Sequence, residues 1–464
     1  MKTRIIPGAV SSTTLRALVL SEASSPPPLK LSDLRGAPCP PLTVKAHGSG
    51  DPRFDQHVIS AGVYLYVAEA SGLKPGTDYQ LADAHIRTLP RQLPARGISL
   101  ALASCYCNDF KRDRDYLRVL QGAAGYNPLS AKLLVGDNLY IDVGPGVGSE
   151  RTAFESTADL YLQHYWRGGY AEVLSYLPTF TMWDDHEFWN NYPEHQIWLP
   201  RSMGQAHGLY KAAALAGIKA FQAVLNPTPA SRGGLSYRFE LPGLSVFALD
   251  LRAGRSMHEV SNPIMCSEAE LQAFERWAGA LKGPGAVIVG QPLWSSAGDW
   301  KDWNPPAFAA QYTRIWKALA DAPYDIVILT GDVHHSRLLE LSVGPGRRVW
   351  ELVSSPVCHI PTIESIAARA FDQQDHGRVG YPLAITVPGV PLSLTAFHMG
   401  TNDNNSLALM RLVPAPDGLA IAGTFVDLVR KTPARPADPP AGSPVAPGPP
   451  SCQRDPMFVL RRRA

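Results

Sequence analysis

The chain has 464 residues, 45% hydrophobic and 18% charged, with a formal net charge of +2. That length exceeds one ordinary core and points to two domains, and the composition excludes a wholly disordered chain. A charge this close to neutral, with no Lys/Arg stripe, speaks against a nucleic-acid surface, and no apolar run of about 18 residues predicts a transmembrane helix.

Residues 1 to 95 alternate short β-rich runs (LTVKAH, GVYLYVAEA) with Pro/Gly punctuation, which predicts a small N-terminal β-sandwich. Within it, GLKPGTDY is similar to a loop of fibronectin type III modules. The opening MKTRIIPGAVSSTTLRALVLSE lacks a sustained apolar stretch, so a cytoplasmic protein is expected, with export left open if the true start lies upstream. Six scattered cysteines, Cys39, Cys105, Cys107, Cys266, Cys358 and Cys452, do not read as a disulfide framework.

Over 96–432 the pattern changes to buried apolar runs that stop at polar clusters: ISLALASC, AKLLVGDNLY, LPTFTMWDDHE, LSVFALDLR, AVIVGQP and DIVILTGDVHH. Helices are predicted between them at 205–225, 267–281 and 310–321, with Ser267 and Glu270 as a capping box. Strands alternating with helices give an α/β domain, whose site gathers at strand C-terminal ends. Residues 433–464 read as a Pro-rich tail.

Those strand ends deliver Cys105, Asp137 with Tyr140, Asp184-Asp185-His186-Glu187, Asp250 with Arg252, Gln291, and Asp332 with His334 and His335. Carboxylates and a phenol are hard donors, while a thiol and imidazoles are softer, so the mixture suggests two unlike ions sharing a carboxylate. Such a pair is one route to phosphate-ester hydrolysis. A serine hydrolase is not expected, because no GxSxG elbow is present.

ASC at 103–105, GDNLYID at 136–142, WDDHEFWNNY at 183–192, LDLRAGR at 249–255 and GDVHHS at 331–336 resemble, in order and spacing, the calcineurin-like metallophosphoesterases. Within that superfamily they are most similar to PhoD-type alkaline phosphatases and phospholipase D-like relatives. The resemblance implies a metallophosphoesterase sandwich, two β-sheets flanked by helices, after the N-terminal β-sandwich. It implies a metal-dependent phosphomonoesterase or phosphodiesterase, with a lipid-head-group diesterase or a metal-stabilised binding protein as alternatives.

Carried over by residue, the resemblance places Asp137 as the bridging carboxylate, with Cys105, Tyr140 and His334 on an iron(III)-like ion. Asp185 and Asp332 serve a second ion, calcium, manganese, zinc or magnesium. His186 becomes the leaving-group acid, oriented by Asp184 or Glu187. Arg252 either binds phosphate or pairs with Asp250. Gln291 stands where the superfamily carries a histidine, and Asp142 reads as a turn residue.

Overall fold

In the N-terminal runs TRIIPGAV and TLRALVLS, branched and aliphatic residues stand in succession and are largely buried, which suits strands. The computed structural model describes residues 1–107, 113–123, 126, 128–142, 150–197, 199–294, 305–358, 382–386, 393–402, 405–428 and 458–463. Its first strands are β1 (Thr3–Val10), β2 (Thr14–Ser21), β3 (Leu31–Asp33), β4 (Thr43–Ala46), β5 (Tyr64–Ser71), β6 (Asp78–Leu81) and β7 (Ala84–Arg87). They form two antiparallel sheets, ordered β1-β2-β5-β4 and β3-β6-β7.

One element departs from the all-β expectation. Helix α1 (Pro52–Ser60) is capped by the Asp51 side chain, starts on proline and buries Phe54 and Val58. In GLKPGTDY, the Tyr79 hydroxyl accepts the Lys74 N–H at 2.9 Å and pins the loop. Strand β1 is fastened to the 3-10 turn at 223–225: a Cβ on Gly8 would lie 2.5 Å from the Leu225 carbonyl, so only glycine permits that approach.

The later apolar runs form β8 (Ile98–Ala103), β9 (Leu129–Val135), β10 (Thr179–Met182), β11 (Tyr237–Leu241), β12 (Leu244–Ala248), β13 (Gly285–Ile288) and β14 (Ile326–Thr330). They are followed by β15 (Ser336–Gly344), β16 (Arg347–Val353), β17 (Pro382–Thr386), β18 (Ser393–Asn402), β19 (Ser406–Ala415), β20 (Gly418–Asp427) and β21 (Phe458–Arg461). One sheet has the order β10-β9-β8-β19-β20-β21, the other β11-β12-β13-β14-β16-β15-β18-β17. Their centres are parallel, β8-β9-β10 in the first and β12-β13-β14-β16 in the second. The chain is therefore mixed α/β.

The helices are α2 (Asp113–Gln121), α3 (Glu150–Leu162), α4 (Tyr170–Tyr176), α5 (Gly204–Gly217), α6 (Glu268–Gly279) and α7 (Ala309–Asp321). Two sequence expectations change in detail. The helix expected over 205–225 is regular only to Gly217 and continues as a π turn and a 3-10 turn. Ser267 caps α6, but the Glu270 carboxylate turns to the N–H groups of Leu235 and Ser236 at 3.0 Å, so the capping box is half made. Among the described residues, no helix is long and apolar enough to cross a membrane.

Strand β14 is buried on both faces, and its side chains alternate between two cores. Val327 and Leu329 join the core that includes the six-stranded sheet, whereas Ile326 and Ile328 pack with α6 and α7. The two sheets converge at their strand ends. A Cβ on Gly331, after β14, would meet the Ser104 side chain at 2.2 Å, and one on Gly136, after β9, would meet Asp184 at 2.9 Å.

The Pro-rich segment 433–451 lies outside the described residues. The last residues do not behave as the tail expected over 433–464. Strand β21 closes the six-stranded sheet against β20, and Phe458 stacks on Trp350 at 5.0 Å. Arg463 is buried and pairs with Asp325 at 3.0 Å, while its Nη1 donates to the Leu319 and Ala320 carbonyls at the end of α7.

Candidate metal centre

Short loops at the ends of β8, β9, β10 and β14 carry the chemistry-bearing residues into one buried place. Four of them take left-handed backbone conformations: Cys105 (φ 56°), Asp137 (52°), Asp332 (71°) and His334 (57°). Asn191 (62°) is the fifth of six such non-glycine residues among the described residues. Left-handed backbone costs a non-glycine residue of order 1–3 kcal/mol. Its concentration at one set of strand ends shows that the surrounding fold holds these side chains in imposed positions.

The side chains meet as a chain of contacts. Cys105 Sγ lies 3.4 Å from Asp137 Oδ2 and 3.6 Å from the Asp332 carbonyl. Tyr140 hydroxyl lies 3.3 Å from His334 Nε2, and its ring stacks on His186 at 3.9 Å. Oxygen or nitrogen atoms of Asp137, Asp185 and His186 fall within 4.8 Å of one another, as do those of Asp184, Asp185 and Asp332.

Electrostatics mark the same spot. Burial, then Cys105, Asp185, Asp184 and Asp332, push the Asp137 carboxyl well above the ordinary range. The Cys105 thiol is pushed up to about 12 by burial and then by Asp332. Tyr140 is raised well above its usual value by burial and by Cys105 and Asp137. Asp185 moves the other way: burial alone would raise it, but His186, Arg252 and the Asn191 N–H hold it ionised. One Asp185 oxygen accepts the Asn191 N–H at 2.6 Å. The other is buried and has no hydrogen-bond partner among the described residues.

Three expected roles are corrected by the contacts. Asp184 does not orient His186, because its oxygens take the Arg252 Nε at 2.7 Å and Nη2 at 2.9 Å. Glu187 does not either: it accepts the N–H groups of Asp137 (3.0 Å), Asn138 (2.7 Å) and Asp184 (2.8 Å), tying two strand ends together. The Arg252 guanidinium pairs with Asp184, while its backbone N–H donates to Asp250 Oδ1 at 2.9 Å, and at 1% exposure the side chain is sealed from a substrate.

The carboxylate on His186 is Asp142, which the sequence presents as a turn residue. Both of its oxygens lie 3.0 Å from His186 Nδ1, and Oδ2 also accepts the Asn190 N–H at 2.8 Å. Burial alone would lower the imidazole pKa, but Asp142, then Asp185 and Asp332, raise it to about 10. These carboxylates favour the protonated imidazole of His186 beside the acidic cluster. The Gln291 oxygen accepts from Arg255, and His335 Nδ1 bonds to the Val333 carbonyl at 3.2 Å. Trp183 and Trp189 are buried packing residues.

No protein-family model and no curated protein sequence matches this chain. Among solved structures it is similar to one described as "GAP50 the anchor in the inner membrane complex of Plasmodium", at 11% identity over 72% of this chain and 86% of that one. The TM-score of 0.34 is too low to equate the two folds.

Proposed function

We propose that the chain is a metal-dependent phosphate-ester hydrolase, with the two large sheets forming a metallophosphoesterase sandwich of the PhoD-like type. The observation that carries this reading is the Asp137–Asp185 pair. The two buried carboxyl groups lie within 4.8 Å of one another, and one Asp185 oxygen has no hydrogen-bond partner among the described residues, an arrangement that a bound cation would stabilise.

The donors fit such cations. Cys105, Asp137, Tyr140 and His334 would hold an iron(III)-type ion, and their mixed soft and hard atoms suit it. Asp185 and Asp332, with Asp137 shared, would hold a second, harder ion such as calcium, with manganese, zinc or magnesium as substitutes. Bound there, two cations would supply charge neutralisation for phosphoryl oxygens and a more acidic water.

The chain's own groups supply the rest. His186 carries a proton on a ring whose Nδ1 is fixed by Asp142, leaving Nε2 to protonate the departing alkoxide oxygen. Glu187 and the Arg252–Asp184 pair hold the turn that presents it. Trp183 and Trp189 keep water from the back of the site. Monoesters and diesters, lipid head groups included, offer the same two oxygens, so a substrate screen separates those readings.

The test compares metal content by elemental mass spectrometry, and hydrolysis of aryl phosphate mono- and diesters, in the wild type and Asp137→Asn. Asparagine tolerates the left-handed backbone at 137, so the fold is preserved. Bound metal and turnover in the wild type, both lost in the variant, are expected. A wild type that stays metal-free on reconstitution, or a variant that retains turnover, overturns the reading.

A further inference from the structure

We propose a second ligand site, for a small oxyanion of the inorganic phosphate class, where Arg87, Arg96 and Arg411 converge on a cavity between the N-terminal strands and the six-stranded sheet. The cavity measures about 190 Å³ and is lined by these three arginines and by Ser99 and Ser130, among others, with no acidic residue among the described lining residues. Like charges gathered with little counter-charge repel, and a bound anion lowers that cost.

The arginines are placed rather than scattered. Gly97 (φ 76°) turns the chain so tightly that a Cβ there would lie 2.2 Å from the Leu412 carbonyl and 3.1 Å from Arg411 Cγ. Only glycine brings Arg96 this close to β19. Arg411 is braced by its Nε bond to Ser99 Oγ at 3.3 Å and by the Tyr126 ring 5.3 Å beneath its guanidinium carbon.

The positive charge is largely unspent. Arg87 reaches Asp78 only at 3.9 Å, and that carboxylate also takes His85 at 3.2 Å. Arg96 is exposed and has no ion pair or hydrogen bond among the described residues. Planar guanidinium forks match the oxygens of a tetrahedral oxyanion.

Size sets the ligand class, because 190 Å³ falls below the roughly 300–1,000 Å³ of pockets for drug-sized ligands. A phosphate fits where a nucleotide does not. Ser99 lies near the start of β8 and Cys105 just past its other end, six residues or roughly 20 Å away at strand rise, so this site is separate from the acidic centre.

The test is calorimetric titration of the full, chelator-treated protein with inorganic phosphate, against chloride at matched ionic strength. Metal removal silences the acidic centre, which then repels anions. One phosphate per chain, with a Kd of about 1 mM or tighter, is expected in the wild type. Arg96→Gln should weaken it at least about tenfold with an unchanged melting temperature in chloride, since that side chain supports no contact. Arg411→Gln should weaken it as well. Absence of saturable binding, undiminished binding in Arg96→Gln, or binding that appears only once metal is restored overturns the site. The first two outcomes leave the hydrolase reading untouched, and the third would move the phosphate to the metal centre of that reading.

Discussion

Nδ1 of His186 stands 3.0 Å from both oxygens of Asp142, across 44 residues of sequence. If Asp142 holds the imidazole as a cation, Asp142→Asn keeps the shape and removes the charge. The alkaline limb of the kcat profile should then move to lower pH, with turnover at neutral pH falling about 10- to 100-fold. Bound metal should be unchanged, which separates positioning from ligation. An alkaline limb that stays in place would show that Asp142 does not set the His186 proton.

Arg252 and Asp184 test a different boundary, between holding the site and binding the substrate. Both are buried and joined by two bonds of 2.7 and 2.9 Å. Arg252→Ala leaves Asp184 buried without its cation and should cost about 3–5 kcal/mol in denaturant unfolding. Replacing both, as Arg252→Met with Asp184→Asn, should recover much of that loss. In the double variant KM for a phosphate ester should stay near the wild-type value. A large rise in KM with normal stability would return Arg252 to phosphate binding.

At the other end of the molecule, Arg463 carries a buried charge into the end of α7. Its partners are the Asp325 carboxylate at 3.0 Å and carbonyls at 2.7 and 3.0 Å. Arg463→Ala should lower unfolding free energy by about 3–5 kcal/mol, because Asp325 is left buried. The urea midpoint reads this directly. A midpoint equal to wild type would mean the last residues are dispensable.

Strand positions were legible because both faces of the central strands are buried, so ISLALA, AVI and DIVILT read as continuous apolar runs that end where polar groups begin. The metal-type donors follow those ends directly, which is why Cys105, Asp137, Asp185 and Asp332 were found together. Asp142 was not legible, since its partner is set by how the loop after β9 folds onto the turn after β10. Asp184 and Glu187 were misassigned for a related reason. Adjacency to His186 in sequence says nothing about which backbone N–H groups a carboxylate meets. The strand at 458–461 was hidden by length and by its proline-rich approach, as four residues carry little periodicity of their own.

His164 gives a prediction independent of any metal. It is fully buried, its Nδ1 donates to the Leu160 carbonyl at 2.9 Å, and its ring meets Tyr106 and Tyr170 edge-on at 5.6 and 5.8 Å. Burial, partly offset by that hydrogen bond, lowers its pKa to about 4. The unfolded chain, with a histidine near pKa 6.5, binds a proton that the folded protein refuses between these values. Stability is therefore full above pH 6.5 and lost as pH falls toward 4, by about 2 kcal/mol at pH 5 from this group alone. His164→Phe keeps the ring packing and removes the titration. It should be less stable than wild type at pH 7.5 through the lost hydrogen bond, yet lose about 2 kcal/mol less on going to pH 5. Urea unfolding of both proteins at the two pH values measures that difference. Parallel losses would mean that His164 is protonated in the folded state and that its pocket admits the charge.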